Sequence, residues 1–334
     1  MCPRFVARQM SGLFVTRSDG GTCDDNGRFA AWRTEWIAAA ARSGFYGGMD
    51  LPLQTLAPLL LCRPAVQSVP LVFVSSHSGR DYPAAFLASA RLDALRLRRS
   101  EDCFVDELFA AAPDFGAPLL AATFPRAFCD ANREAWELDQ AMFDDTLPPW
   151  VNTASARVGA GLGTIARVVA SGEAIYRGKL RFAEAEARVY GLWQPFHDAL
   201  RRLIGATRER FGACLVIDCH SMPGGSLAPR HATDVVLGDA HGTTCAPRAM
   251  RGMESALTDL GFTVRRNDPY AGGYITRHYG RPREGVHVVQ LELSRALYMD
   301  EVEIERLPGF AAMQARMTGL IDALAERVAG FGIV

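Results

Sequence analysis

The chain has 334 residues, 49% of them apolar, with 36 basic against 37 acidic side chains and a formal charge of −1. That length and composition fit one large α/β domain or two small ones and exclude a disordered chain. The even charge, with no long basic run, argues against nucleic acid or an anionic membrane as the main partner and favours a small molecule.

The eight cysteines are scattered singly without a C-x-x-C pair, so they read as reduced intracellular thiols and not as a zinc knuckle or a redox motif. The N-terminal segment lacks the apolar core of a secretory leader, and no later stretch approaches the length of a membrane span, so a cytoplasmic protein is expected. Residues 1–55 read as an extension with one short helix, Arg28 to Arg42, ahead of a single domain over 56–334.

The first strand expected is Val69 to Ser76, VPLVFVSS, an apolar run that ends at His77, with Pro83 closing the loop after it. Ser100 is the expected N-cap of a helix whose first turn carries Glu101, Asp102, Asp106 and Glu107, where acids favour the helix dipole. Pro118 to Thr123 reads as a strand leading to Asp130, Asn132 and Arg133. An arginine beside an asparagine can hold a carboxylate by a bidentate fork plus an amide donor; the alternative is an arginine packed on Trp136. The stretch Gly159 to Thr164 lacks the spacing of a nucleotide-binding loop and reads as a flexible connection near the site. Leu180 to Phe211 is the clearest helix, with Val189, Leu192, Trp193, Phe196, Leu200, Leu203 and Ile204 at helical spacing and His197 in a structural place.

The central strand is Ala213 to Ile217, unbroken and β-branched, as expected of a strand covered on both faces. Asp218, His220 and Ser221 follow it, where open α/β sheets place their ligands. Asp234 to Asp239 and Phe262 to Arg266 read as strands around a helix, Ala246 to Leu260, ended by Gly261. Asn267 to Gly280 mixes glycines and aromatics with Arg277, either a loop closing over an anionic ligand or a plain β-hairpin. Val286 to Leu293 is the last strand, interrupted by Glu292, a carboxylate that requires a partner or a task; Arg295 is the candidate partner. An amphipathic helix, Phe310 to Val328, closes the chain.

Two apolar strands each delivering a histidine, His77 and His220, make the arrangement a shared metal requires, with a third ligand drawn from the four acids after Ser100. The plainer alternatives are hydrogen-bonded histidines and acids that only solvate a helix.

Taken together, SSHSGRDYP (75–83), DCFVDELF (102–109), TFPRAFCDANR (123–133), DCHSMP (218–223), NDPYAGGYITRHYGRP (267–282) and QLELSRALYMDE (290–301) resemble the N-formylglutamate amidohydrolase (deformylase) family of histidine degradation, over roughly 59–300. That family is in turn similar to zinc exopeptidases of the carboxypeptidase type, a phosphorylase/hydrolase-like fold with a mixed twisted sheet between helices. The resemblance implies His77 and His220 as zinc ligands, Asn132 and Arg133 as the grip on a substrate carboxylate, and Glu292 as general base; a second substrate carboxylate would need its own cation, Arg277 or Arg295. Arg80 occupies the place of the acidic ligand in those peptidases, so that ligand must come from elsewhere; Asp102 is favoured and Asp106 is the alternative. The implied reaction is metal-dependent hydrolysis of N-formyl-L-glutamate to formate and L-glutamate. The other readings are a hydrolase of another small N-acyl amino acid and a metal-free binding protein that retains the pocket.

Overall fold

Seven strands form one mixed sheet in the order β1-β3-β2-β4-β7-β5-β6, in a computed structural model that describes residues 58–224 and 233–333. The expected extension over 1–55 and its helix lie outside the described residues. The strands are β1 (Leu59–Cys62), β2 (Leu71–Ser75), β3 (Leu119–Ala122), β4 (Cys214–Met222), β5 (Val235–Gly238), β6 (Val264–Arg266) and β7 (Val286–Ser294). The inner four, β3, β2, β4 and β7, run parallel, whereas β1 and β5 pair antiparallel at either side. Among the described residues the sequence reading missed an edge strand and a ribbon, as well as short helices such as Ala84–Ser89 and Ala94–Arg98. The edge strand β1 is four residues long, and a two-stranded ribbon pairs Met299–Asp300 with Glu305–Arg306; both are too short to show a period of their own.

Helices cover both faces, and the strand alternation decides which residue meets which layer. Val72, Val74, Cys214, Val216 and Val288 pack with Phe196, Leu200 and Leu203 on one face. Leu71, Phe73, Leu215, Ile217, Val289 and Leu291 pack with Met253, Leu257, Met317 and Leu320 on the other. The second layer comprises the helices α1 (Val105–Leu108), α3 (Pro247–Asp259) and α5 (Phe310–Arg327). In the first layer stands α2 (Gln194–Phe211), and α4 (Tyr274–Tyr279) packs on β7.

The expected helix from Leu180 to Phe211 is a helical run in three parts, Phe182–Arg188, a π-helical turn at Val189–Trp193, and α2. Pro195 in the first turn of α2 has no N–H to donate, and the wider turn immediately before it accommodates that loss. His197 is structural, as expected: fully buried, it contacts the Tyr279 hydroxyl at 2.9 Å and the Ala131 carbonyl at 2.8 Å. Burial pushes its pKa down to about 3, so it stays neutral.

β4 is longer than its apolar run. It continues through Asp218, His220 and Ser221 to Met222, paired residue for residue with β7, so that Asp218 faces Gln290 and His220 faces Glu292. The face that is apolar at Cys214, Val216 and Val288 becomes polar two residues on. The site therefore lies on the sheet surface at the carboxyl ends of its parallel strands.

Candidate active site

His77 leaves β2 two residues past its end, on a loop pressed against the exit of β3: a Cβ on Gly79 would lie 2.2 Å from the Phe124 carbonyl oxygen, which leaves room only for glycine. The Asp102 amide donates to the His77 carbonyl at 3.0 Å and fastens the acidic segment to this loop. Phe104 then takes a left-handed backbone, φ 65°, so the helix begins at Val105 and not at Ser100. This corrects the expected N-cap: Ser100 Oγ accepts instead from the Ala170 amide at 3.1 Å. The four acids separate. Glu101 is buried against Tyr82, Arg98 and Cys103. Asp106 and Glu107 face Arg80, and Asp102 alone turns to the histidines.

His77, Asp102 and His220 are all buried, with potential ligand atoms within 4.8 Å of one another. Asp102 Oδ2 lies 2.8 Å from His220 Nδ1 and 3.3 Å from His77 Nδ1. A second carboxylate stands behind each ring. His77 Nε2 is 2.7 Å from Asp130 Oδ1, and His220 Nε2 is 3.0 Å from Asp218 Oδ1 and 3.0 Å from Asn132 Nδ2. A carboxylate on the far nitrogen fixes the ring and turns the near nitrogen into a ligand, as in metal-binding histidines generally. His77 Nδ1, buried and aimed at this centre, has no hydrogen-bond partner. A buried orphaned nitrogen is costly, and a cation among these three residues would satisfy it; the donor set, two imidazoles and a carboxylate, fits zinc.

The electrostatics agree. Burial would raise the Asp102 pKa, yet the hydrogen bond from His220 and the two imidazoles beside it hold it well below the usual carboxylate range. Burial would lower the His220 pKa, but the charges of Asp218 and Asp102 raise it well above that of a free imidazole. Asp130 is likewise held low against its burial by His77, Arg133 and Arg126. The pocket attracts positive charge, a proton or a metal alike. If the cluster holds a divalent metal, Asp130→Asn is expected to weaken its binding by about 10–100-fold, the usual loss when such a supporting carboxylate is removed, in a competition titration against a chromophoric chelator. Unchanged affinity would reduce Asp130 to an anchor for Arg126.

Glu292 sits in register with His220, buried, and burial pushes its carboxyl up to about 7 while His220 and Arg126 pull it down. Its partner is Gln290, whose amide donates to it at 2.6 Å. Arg295 was the expected partner, but it turns the other way. Its Nη2 donates to Asp102 Oδ1 at 3.0 Å, its Nε to Ser221 Oγ at 3.0 Å and its Nη1 to the Arg99 carbonyl at 3.3 Å. Arg295 lies past the end of β7, in the 3-10 turn Arg295–Leu297, so the strand does not hold it beside Glu292 and it reaches Asp102 instead.

The expected carboxylate grip divides. Asn132 is buried behind His220 and accepts from the Ile275 amide at 2.7 Å, so it braces the site. Arg133 is nearly buried, its Nε on the Leu162 carbonyl at 2.9 Å and its Nη1 on the Asn132 carbonyl at 2.7 Å. The segment Gly159 to Thr164, expected as a flexible connection, is tied down by these contacts, because the Thr164 carbonyl also accepts from the Asp130 amide at 2.8 Å. Arg126, which sequence reasoning passed over, donates to Asp130 Oδ2 at 3.0 Å, stays one-fifth exposed and acts electrostatically on Glu292. Its one signal in the sequence is the four-residue spacing to Asp130. Arg277 lies on α4, so the segment is neither an open loop nor a hairpin. It is exposed, its Nε meets the Gly272 carbonyl at 3.2 Å, and it forms no ion pair among the described residues.

The comparisons with known proteins fall on this same span. A family model for N-formylglutamate amidohydrolase matches residues 69–299. The N-formylglutamate deformylase of Pseudomonas putida is 30% identical over 240 residues, covering 70% of this chain and 84% of that protein. The crystal structure of N-formylglutamate amidohydrolase from Ralstonia eutropha JMP134 superposes with a TM-score of 0.78 at 39% identity, over 82% of this chain and 99% of that one. A structure from Agrobacterium tumefaciens, 19% identical with a TM-score of 0.58 over 82% of this chain and 95% of that one, shares the fold. Matched by the family model over a span that holds every site residue from His77 to Arg295, the chain belongs to the N-formylglutamate amidohydrolase family.

Proposed function

We propose that this protein hydrolyses N-formyl-L-glutamate to formate and L-glutamate with one divalent metal, zinc in the first place, held by His77, Asp102 and His220. The observation that carries the reading is the in-register placement of Glu292 beside His220, next to a buried two-histidine, one-carboxylate cluster with an orphaned nitrogen. A divalent cation, when bound, supplies Lewis-acid polarisation of an amide oxygen and acidifies water. Glu292 takes the proton of the attacking water and delivers it to the departing amine nitrogen, and Gln290 holds its carboxylate in place. Arg133 and Arg277 supply the positive charge for the two carboxylates of glutamate. A small dianionic substrate also fits the family to which the chain belongs.

The test is a panel of N-formyl and N-acetyl amino acids assayed with the zinc-loaded protein. N-formylglutamate is expected to give the highest kcat/KM, and a higher value for another N-acyl amino acid would move the assignment to that substrate on the same site. A metal-free binding protein would show binding without turnover at any pH.

Specificity rests on the arginines, because base and metal act on any amide that enters. Arg277→Ala is expected to lose most of the preference for N-formylglutamate over the neutral N-formylglutamine. Leaving a carboxylate without its charged partner costs about 2–4 kcal/mol in transition-state binding. Arg133→Ala is expected to weaken both substrates alike. An Arg277→Ala enzyme with the wild-type ratio of kcat/KM values would remove Arg277 from substrate recognition.

A further inference from the structure

Around Asp102 the two carboxylate oxygens have different surroundings. Oδ2 faces the two imidazoles, while Oδ1 receives Arg295 Nη2 at 3.0 Å and Ser221 Oγ at 3.1 Å. Ser221 Oγ in turn accepts from Arg295 Nε at 3.0 Å, so guanidinium and hydroxyl form one triangle on a single oxygen. A carboxylate oxygen has two lone pairs, and both on Oδ1 are taken. Arg295 is buried and held from behind, its Nη1 on the Arg99 carbonyl at 3.3 Å and 3.9 Å from Glu301 Oε2, and Glu301 Oε1 accepts from the Gly224 amide at 2.7 Å. The triangle thus belongs to a fixed frame reaching from β4 and β7 to the chain after β7.

We propose that Arg295 and Ser221 are positioning residues that reserve Oδ1, so that Asp102 offers a metal one oxygen only and the protein supplies three ligand atoms and no more. This deepens the reading above and rests on it for the presence of the metal. Two consequences follow from coordination chemistry. A three-donor N2O set leaves coordination positions open for water and substrate, and it suits zinc and cobalt, whereas manganese favours more oxygen donors. A carboxylate freed from its triangle can turn both oxygens to the ion, raising the donor count and favouring the oxygen-seeking metal.

The experiment uses the full chain stripped of metal and titrated with Zn²⁺, Mn²⁺ and Co²⁺ against a competing chelator, for wild type, Ser221→Ala, Arg295→Lys and Arg295→Met. Zinc affinity is expected to fall about 10–100-fold in Arg295→Met. The zinc-to-manganese preference should fall with it, and the visible absorption of the Co²⁺ form should weaken as its coordination number rises. Ser221→Ala, which keeps the guanidinium, should move the same readouts in the same direction by less, and it tests the proposal if Arg295→Met fails to fold. Arg295→Lys keeps the charge without the two-pronged contact and is expected between wild type and Met. Wild-type metal preference and Co²⁺ spectrum in both Ser221→Ala and Arg295→Lys would overturn the positioning role while leaving the metal site standing. A wild-type protein that binds none of the three ions would overturn both this proposal and the metal-dependent reading. Metal binding with the expected shifts but no N-formylglutamate turnover would overturn the substrate alone.

Discussion

Glu292→Gln is expected to lower kcat by at least about a hundredfold while KM, metal content and fold stay close to wild type. The size is that of losing a positioned general base, for which 10²–10⁴-fold is usual. The substitution is nearly isosteric, and the Gln290 amide at 2.6 Å can still donate to the remaining carbonyl oxygen, so the strand register opposite His220 is not disturbed. What is lost is the capacity to take a proton. Burial holds the native carboxyl up at about 7, in the range where a group both accepts and returns a proton readily. Turnover by initial rates, metal by elemental analysis and fold by circular dichroism make the comparison. Normal turnover would show that Glu292 serves only as a hydrogen-bond partner of Gln290.

Removing the metal is expected to have the larger effect. Chelation should abolish hydrolysis, and His77→Ala or His220→Ala should lower kcat/KM by about a thousandfold or more, since polarisation of the amide is worth several kcal/mol and 1.4 kcal/mol is about tenfold. The same loss has a readout that requires no substrate. An ion that binds only the folded protein stabilises it by about 4 kcal/mol when present at a thousandfold over its Kd, so zinc should raise the Tm of wild type and not of either histidine variant. His77→Ala removes one of two partners of Asp130 Oδ1, which still accepts from the Asn132 amide while its other oxygen stays on Arg126, so that variant is expected to remain folded. Full activity in chelator, with no transition metal in the purified protein, would exclude the metal-dependent reaction.

Much of the architecture was legible from local pattern. The apolar runs at Val69 to Ser76, Ala213 to Ile217 and Val286 to Leu293 are strands, and the periodic stretches at Ala246 to Leu260 and Phe310 to Val328 are helices, because hydrophobic periodicity is a property of neighbours in the chain. The candidates His77, His220 and Glu292 stand out for the same reason: each is a polar residue that interrupts or ends such a run. What the pattern did not carry was where polar side chains go once distant segments meet. Four acids follow Ser100, and only the left-handed turn at Phe104 and the hydrogen bond from the Asp102 amide to the His77 carbonyl decide that Asp102 faces the histidines while Asp106 faces Arg80. Asn132 beside Arg133 looked like a single carboxylate grip, but their side chains part, one bracing His220 and the other held by the Leu162 carbonyl. Arg295 stands three residues from Glu292 and bonds Asp102, 193 residues away in the chain. The candidate site residues were thus marked by the one-dimensional pattern, and their partners set by the register of β4 on β7 and the packing of the loops above it, because a charge in a buried site binds whatever the fold brings within about 3 Å, near in sequence or not.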